Sequence, residues 1–271
     1  MLLRQILTDA GLLDDAALKQ HTGGSRSLAV LDLGFGCGDQ TWELVRLTKP
    51  AGWRDFRYIG LTLNQAQTEA AWRTIHRQTQ DAPSPGIDSF NLFCADAARP
   101  ETWTPAVSRA MQSVKEDGFT DRWLLALDCL YHFKPSRRPV LQYVARQMGA
   151  NFMAFDLLLN PNASRKDTLV MRAIGVMMGC PWGTFLTEDE YRAQLVECGY
   201  DGDATTVRDV SEHVFSGVVE FMEHQERALS YYGVSLGGYK LAGRLFDWFG
   251  RSGVVKAVIV VGRVGGERRA A

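Results

Sequence analysis

No run of about 18 apolar residues occurs in this chain, which is what a helix needs to cross a bilayer, so no transmembrane segment is expected. The opening Met1-Leu2-Leu3-Arg4-Gln5-Ile6 lacks the long apolar core of a signal peptide. Cysteine is sparse: the five thiols stand at 37, 94, 129, 180 and 198, and no two form a Cys-x-x-Cys pair. An odd count at irregular spacing argues against a disulfide framework or a zinc site, so a reducing, cytoplasmic compartment and no metal are expected. Cys37, Cys94 and Cys129 fall in or beside predicted strands, where buried thiols are common. Excess charge is missing too. A net charge of −1 leaves no electrostatic footprint for a nucleic-acid partner. Repeats, low-complexity tracts and interdomain linkers are absent, so one domain over 1–271 is expected.

What is present is an ordinary globular composition, with 46% hydrophobic and 23% charged residues. The chain is organised around Val30-Leu31-Asp32-Leu33-Gly34-Phe35-Gly36-Cys37-Gly38-Asp39-Gln40. The apolar run before Gly34 predicts a buried strand. Glycines at alternate positions then predict a turn with unusual dihedrals against which a ligand can press. Asp39 is expected to cap a helix from about Gln40 to Lys49. The spacing is Gly-x-Gly-x-Gly, so the dinucleotide fingerprint Gly-x-Gly-x-x-Gly is missed, and no Gly-Lys-Ser/Thr marks a phosphate loop.

An acid two residues before such a glycine turn resembles the first motif of the class I S-adenosylmethionine-dependent methyltransferases. The resemblance implies that Asp32, Gly34, Gly36, Gly38 and Gln40 form the cradle for the methionyl end of S-adenosyl-L-methionine. After the next predicted strand, Arg57 to Thr62, the segment Gly-Leu-Thr-Leu-Asn-x-x-Gln is similar to that of methyltransferases acting on lipids, sterols and tocopherol-like substrates, a group that also takes in cyclopropane synthases. There Thr62, Asn64 and Gln65 would bond the ribose hydroxyls. Capping of the next helix by Thr62 or Asn64 stands equally open.

A third strand, Phe90 to Ala95, leads into Asp96-Ala97, which by resemblance would hold the adenine amino group and ring. Asp96 as the cap of its own turn is the alternative. Five apolar residues in Trp123–Leu127 predict a fourth strand covered on both faces. Beyond it, Asp128-Cys129-Leu130-Tyr131-His132-Phe133 is similar to the loop that carries a histidine in many small-molecule methyltransferases. Imidazole titrates near neutrality, so His132 is the candidate general base, with Tyr131 orienting it or the acceptor and Asp128 on the cofactor side. Arg137 and Arg138 read as a solvated helix start or as anchors for an acidic substrate group. A fifth strand, Phe152 to Leu158, carries Asp156 as a further site candidate.

Residues 160–186 break the strand–helix rhythm. The Met-rich stretch from Leu169 to Met178 is expected either to pack into the core or to face the acceptor as a cap. Leu3, Ile6, Leu7, Leu12, Leu13 and Leu18 predict helical cover over about 1–24, which could serve as a lid. Near the other end, Val214, Val218, Phe221 and Met222, then Leu241, Leu245, Trp248 and Phe249, mark apolar helix faces. They are expected to pack inward; left open, such a face would suit a membrane or the partner copy in a homodimer.

Alternation of strand and helix implies an α/β fold with a doubly wound, mostly parallel sheet and a small helical cap. The resemblance implies the Rossmann-like methyltransferase form of it: seven strands in the order 3-2-1-4-5-7-6, the last antiparallel. The expected activity is methyl transfer to a small apolar, aromatic or lipid-like acceptor at O, N or C. The rivals are an NAD-dependent reductase and a non-catalytic cofactor-binding protein on the same scaffold.

Overall fold

The computed structural model describes residues 2–13, 26–51, 53–81, 85–235 and 237–265. The link at His21–Ser25, loop residues 82–84 and the tail at 267–269 lie outside the described residues, as does anything helical between 14 and 20.

Seven strands form one sheet: β1 Ser27–Leu33, β2 Asp55–Thr62, β3 Phe90–Cys94, β4 Asp121–Leu127, β5 Asn151–Leu159, β6 Thr206–Asp209 and β7 Val255–Gly262. Their order is β3-β2-β1-β4-β5-β7-β6, with β7 antiparallel to both β5 and β6. This is the expected doubly wound order. Strand side chains alternate between two cores, as a period of two requires. Leu28 and Val30 of β1, with Trp123 and Leu125 of β4, face one core; Ala29, Leu31 and Leu33, with Leu124 and Ala126, face the other. Every residue of β1 is buried, so a single register slip would expose nothing apolar but would remake both cores.

On the first face lie α1 Leu2–Asp9, α2 Asp39–Thr48, α3 Gln65–Asp81, α8 Ser211–Ser230 and α9 Tyr239–Ser252, which contribute Ile6, Leu44, Ile75, Phe215 and Phe249. The second face carries α4 Pro105–Glu116, α5 Arg138–Gln142 and α7 Glu188–Cys198, with Met111, Leu141 and Leu195 buried. Local chemistry sets several ends. Thr104 accepts from the Val107 amide at the start of α4. Thr187 and Glu190 form the expected capping box on α7, and left-handed Gly199 closes it.

Several expectations need correction. Asp39 does not cap α2. Gly38 occupies the cap position at φ 92°, and Asp39 is the first helical residue, where its charge suits the helix dipole. Leu169 to Met178 is not a core helix: α6 Arg165–Met177 buries only Met171 and Gly175, and Met177 is 82% exposed. On α8 and α9, Phe215 and Phe249 reach the core while Phe221 and Leu241 stand in solvent. Cys37 and Cys94, beside strands, are exposed, and Cys129 is half-buried; the buried thiols are Cys180 and Cys198.

Arg137 is neither solvated nor free for a substrate. It is buried, donates to Asp156 Oδ2 at 2.8 Å and to the Thr184 carbonyl at 2.5 Å, and stacks over the Tyr191 ring at 4.8 Å. Tyr191 donates to the same Asp156 oxygen at 3.0 Å. The network ties β5, α7 and the loop after α6 together. Removing one partner would strand a buried charge, at a cost of about 3–5 kcal/mol.

Candidate active site

Parallel strands deliver their following turns to one edge. The register puts Leu33 beside Leu61 and Ala126, Thr62 beside Cys94, and Leu127 beside Phe155. Strand order reverses between β1 and β4, which is where an open α/β sheet leaves a crevice. The turns after β1, β2, β3 and β4 therefore line one edge, with Asp32 near the end of β1 and Gln40 at the start of α2 beside them, while Asp156 lies within β5.

The first turn is built of backbone. Gly34, Gly36 and Gly38 all take left-handed φ values, 72°, 61° and 92°. A Cβ on Gly34 would meet Cys129 at 3.2 Å, and one on Gly38 would sit 3.0 Å from the Ala71 Cα. A Cβ on Gly36 would meet nothing within 4 Å, so here the turn opens away from the protein. Phe35 folds down over β2, where only a glycine at 60 leaves it room; a Cβ there would lie 2.6 Å from its ring. Asp32 lies beneath the turn, buried, and accepts a hydrogen bond from the Tyr58 hydroxyl at 2.6 Å. Burial outweighs that bond and raises its pKa to about 7.

The second and third turns hold their own side chains. Thr62 donates to Gln67 Oε1 at 3.0 Å, Asn64 accepts from the Gln67 amide at 3.2 Å as the cap of α3, and Gln65 donates to Glu69 at 3.1 Å. Asp96 accepts from the Ala98 amide at 2.9 Å, its backbone carbonyl takes the Trp103 indole at 2.9 Å, and Arg99 stands 3.7 Å from its other oxygen. Ala97 is buried behind it. The capping roles left open by the sequence for Asn64 and Asp96 are thus filled, while Asn64 and Gln65 remain exposed.

The fourth turn is built of side chains. Asp128 holds φ 55°, a left-handed value that costs a non-glycine residue roughly 1–2 kcal/mol. Its amide extends the sheet to the Phe155 carbonyl at 3.0 Å, and its carboxylate accepts from the Tyr131 hydroxyl at 2.7 Å. Asp128 is open to solvent on one side, yet enough protein surrounds the carboxyl to raise its pKa. The same burial pushes Tyr131 far up. His132 closes the turn, exposed, its ring 4.5 Å from that of Tyr131. Partial burial lowers its pKa, the charge of Asp128 opposes that, and Lys134 adds to it. The imidazole is therefore held neutral.

A cavity of about 270 Å³ adjoins this turn. Leu2, Phe155, Leu157, Val214, Val218 and Phe246 give it apolar walls, and Gln40 and Asp128 are its polar contacts with the crevice. Three larger cavities, about 530, 640 and 440 Å³, involve none of the four turns: the first lies at the amino-terminal ends of β1 and β2, the second under α8 and α9 near Lys256, and the third between α8 and α9 at Met222 and Tyr239. Of these, only the smallest touches a candidate turn, at Asp128. Among the described residues no cluster of three or more His, Cys, Asp or Glu could hold a metal ion, and no helix is long and apolar enough to cross a membrane.

Sequence reasoning missed Gln67, although it ends the very motif that contained Thr62 and Asn64. It also missed Leu63, 73% exposed beside the crevice, and Cys180, whose sulfur lies 3.3 Å from His132 Nδ1. Nothing local marks Cys180, because the contact spans the whole fifth strand and α6.

No family model matches the chain, and no curated relative does. Solved structures do match in fold. A phosphoethanolamine N-methyltransferase of Haemonchus contortus, bound to phosphomonomethylethanolamine and S-adenosylhomocysteine, aligns over 92% of this chain and 51% of its own, with TM-score 0.62 and 12% identity. This chain thus spans about half the length of that enzyme. Geranyl diphosphate C-methyltransferase of Streptomyces coelicolor, bound to Mg2+, geranyl diphosphate and S-adenosyl-L-homocysteine, aligns over 95% and 77%, with TM-score 0.58 and 14% identity. A cyclopropane synthase of Mycobacterium tuberculosis aligns over 96% and 84%, with TM-score 0.59 and 13% identity. The chain shares the Rossmann-like fold of these methyltransferases.

Proposed function

We propose that this chain is an enzyme that transfers a methyl group from S-adenosyl-L-methionine to a small apolar acceptor. The observation that carries the proposal is the meeting of two unlike surfaces at Gln40 and Asp128: a glycine turn that opens at Gly36, and an apolar cavity. Structural likeness to proteins crystallised with S-adenosylhomocysteine supports the same ligand here. Gly34 and Gly36 would hold its methionyl end, Thr62, Asn64 and Gln65 its ribose, and Asp96 and Ala97 its adenine. Gly36 fits that task, since its backbone faces open space that a side chain would fill. When bound, the sulfonium supplies an activated methyl group.

The chain's own residues align the acceptor and move a proton. Leu2, Phe155, Leu157 and Phe246 would surround the acceptor and exclude water. His132, held neutral, would take the proton from a hydroxyl or ammonium acceptor as the methyl arrives. Asp128 and Tyr131 would fix the acceptor's polar end. The N-terminal cover and the 160–186 segment belong to the same working unit in this reading: Leu2 and Leu3 line the cavity, and Thr184 and Cys180 touch the fourth turn. Five free cysteines support a reducing, cytoplasmic setting.

Calorimetry of the purified protein with S-adenosylhomocysteine and, separately, with NADH tests the proposal. Binding of the first and not the second is expected. NADH binding alone would return the chain to the reductases.

A further inference from the structure

The loop after α6 grips the fourth turn from outside. Thr184 donates to the Tyr131 carbonyl at 2.9 Å, and Phe185 stacks on the Tyr131 ring at 5.5 Å and 26°. Gly175 of α6 makes room for that phenylalanine, since a Cβ there would lie 2.6 Å from its ring. Arg137 anchors Thr184 to Asp156 and so to β5. Within this grip, the buried Cys180 sulfur lies 3.3 Å from His132 Nδ1.

We propose that Cys180 is a positioning residue that selects the working tautomer of His132: Nδ1–H donates to the sulfur, which leaves the Nε2 lone pair free to take a proton. The inference rests on the methyl-transfer reading above. A neutral imidazole has one proton and two places for it, and the partner of one nitrogen decides which is used. Free imidazole side chains favour the proton on Nε2, where it would block proton abstraction. Burial pushes the Cys180 thiol up and the imidazole pKa down, so the pair is neutral and the choice lies between Nδ1–H donating to sulfur and S–H donating to Nδ1 with the ring proton on Nε2. Besides Cys180, the titratable and charged groups acting on the ring are Asp128, Lys134 and the neighbouring Tyr131. During turnover the acceptor's proton passes to Nε2. The imidazolium so formed keeps its Nδ1–H on the sulfur and has the Asp128 carboxylate nearby, while the acceptor's electron pair forms the new bond to methyl carbon and the C–S pair leaves with sulfur.

The test reads the proton directly. In protein labelled with ¹⁵N-histidine, the His132 ring shifts should report Nδ1–H in the wild type and swing to Nε2–H in Cys180→Ala. Turnover in that variant should fall by about 3- to 10-fold with little change in KM, and the acid limb of its pH–rate profile should move up as water reaches the ring. Cys180→Ser, whose hydroxyl accepts in the same place, should restore the tautomer and most of the rate. Wild-type shifts reporting Nε2–H would overturn the proposal, as would a Cys180→Ala protein with the wild-type tautomer and pH profile. If Cys180→Ala does not fold, the wild-type and Cys180→Ser spectra decide. Because the spectra need no cofactor, failure of S-adenosylhomocysteine to bind would count against the methyl-transfer reading alone.

Discussion

The turns after β1 and β4 lie side by side on the sheet and are built from opposite materials. The first presents backbone: three left-handed glycines, one of them facing open space. The second presents side chains: a carboxylate on a strained residue, a phenol bonded to it and an imidazole. Backbone amides and carbonyls are the same in any sequence, so a backbone cradle suits a ligand that never varies. Side chains can be exchanged one at a time, so a side-chain turn suits the partner that gives a protein its particular task. On this contrast, changes in the first turn should alter binding of the nucleoside, and changes in the second should alter chemistry.

The sharpest way to break the contrast is His132→Ala. Methyl transfer should drop by about 10²- to 10⁴-fold, the usual worth of a general base, while affinity for S-adenosylhomocysteine stays within about twofold by calorimetry. Intact turnover would remove His132 from the chemistry. Next in size is Gly36→Val. Its Cβ meets no protein atom within 4 Å, so the left-handed strain, about 1–2 kcal/mol, should dominate the loss of stability, yet affinity for S-adenosylhomocysteine should fall roughly 100-fold. Gly38→Ala is the control within the same turn. There the Cβ lies 3.0 Å from the Ala71 backbone, and stability should suffer by about 2–4 kcal/mol. Equal losses of affinity and stability in both variants would mean that the turn is merely structural.

The smallest effect concerns what lies beneath. Asp32 has a folded-state pKa of about 7 against an ordinary 3.8, so the folded form holds its proton more tightly than the unfolded chain. Its contribution to stability is therefore complete below about pH 4 and is lost as pH rises through about 7. Urea unfolding should show the wild type losing stability between pH 5 and 8 by an amount on the order of 1 kcal/mol or more, and Asp32→Asn losing less over the same range. A steeper loss in the variant would show that the carboxylate is stabilised as the anion.

The half of the molecule from β1 to the fourth turn was legible because its signals are local. A buried run, a glycine pattern and an acid after a strand lie within a few residues of one another, and parallel topology then brings their turns to one edge. Cys180 and Arg137 were not legible, because each finds its meaning in a partner on another element, His132 and Asp156. Leu169 to Met178 misled for a different reason: apolar composition says what a helix can bury and not whether anything lies against it, and Met177 and Met178 meet solvent. Asn64 and Asp96 lie between these cases. Their caps are visible, and a cap and a ligand contact call for the same residue types.

The inserted place of β7 has a consequence for how the chain is born. Among the described strands, β6 pairs only with β7, and β7 reaches β5 on its other side. While a ribosome is still making α9, Thr206–Asp209 has no strand to join, and the open flank of β5 is bare. The nascent molecule must wait for Val255–Gly262, one short and largely buried segment, before that edge is sealed.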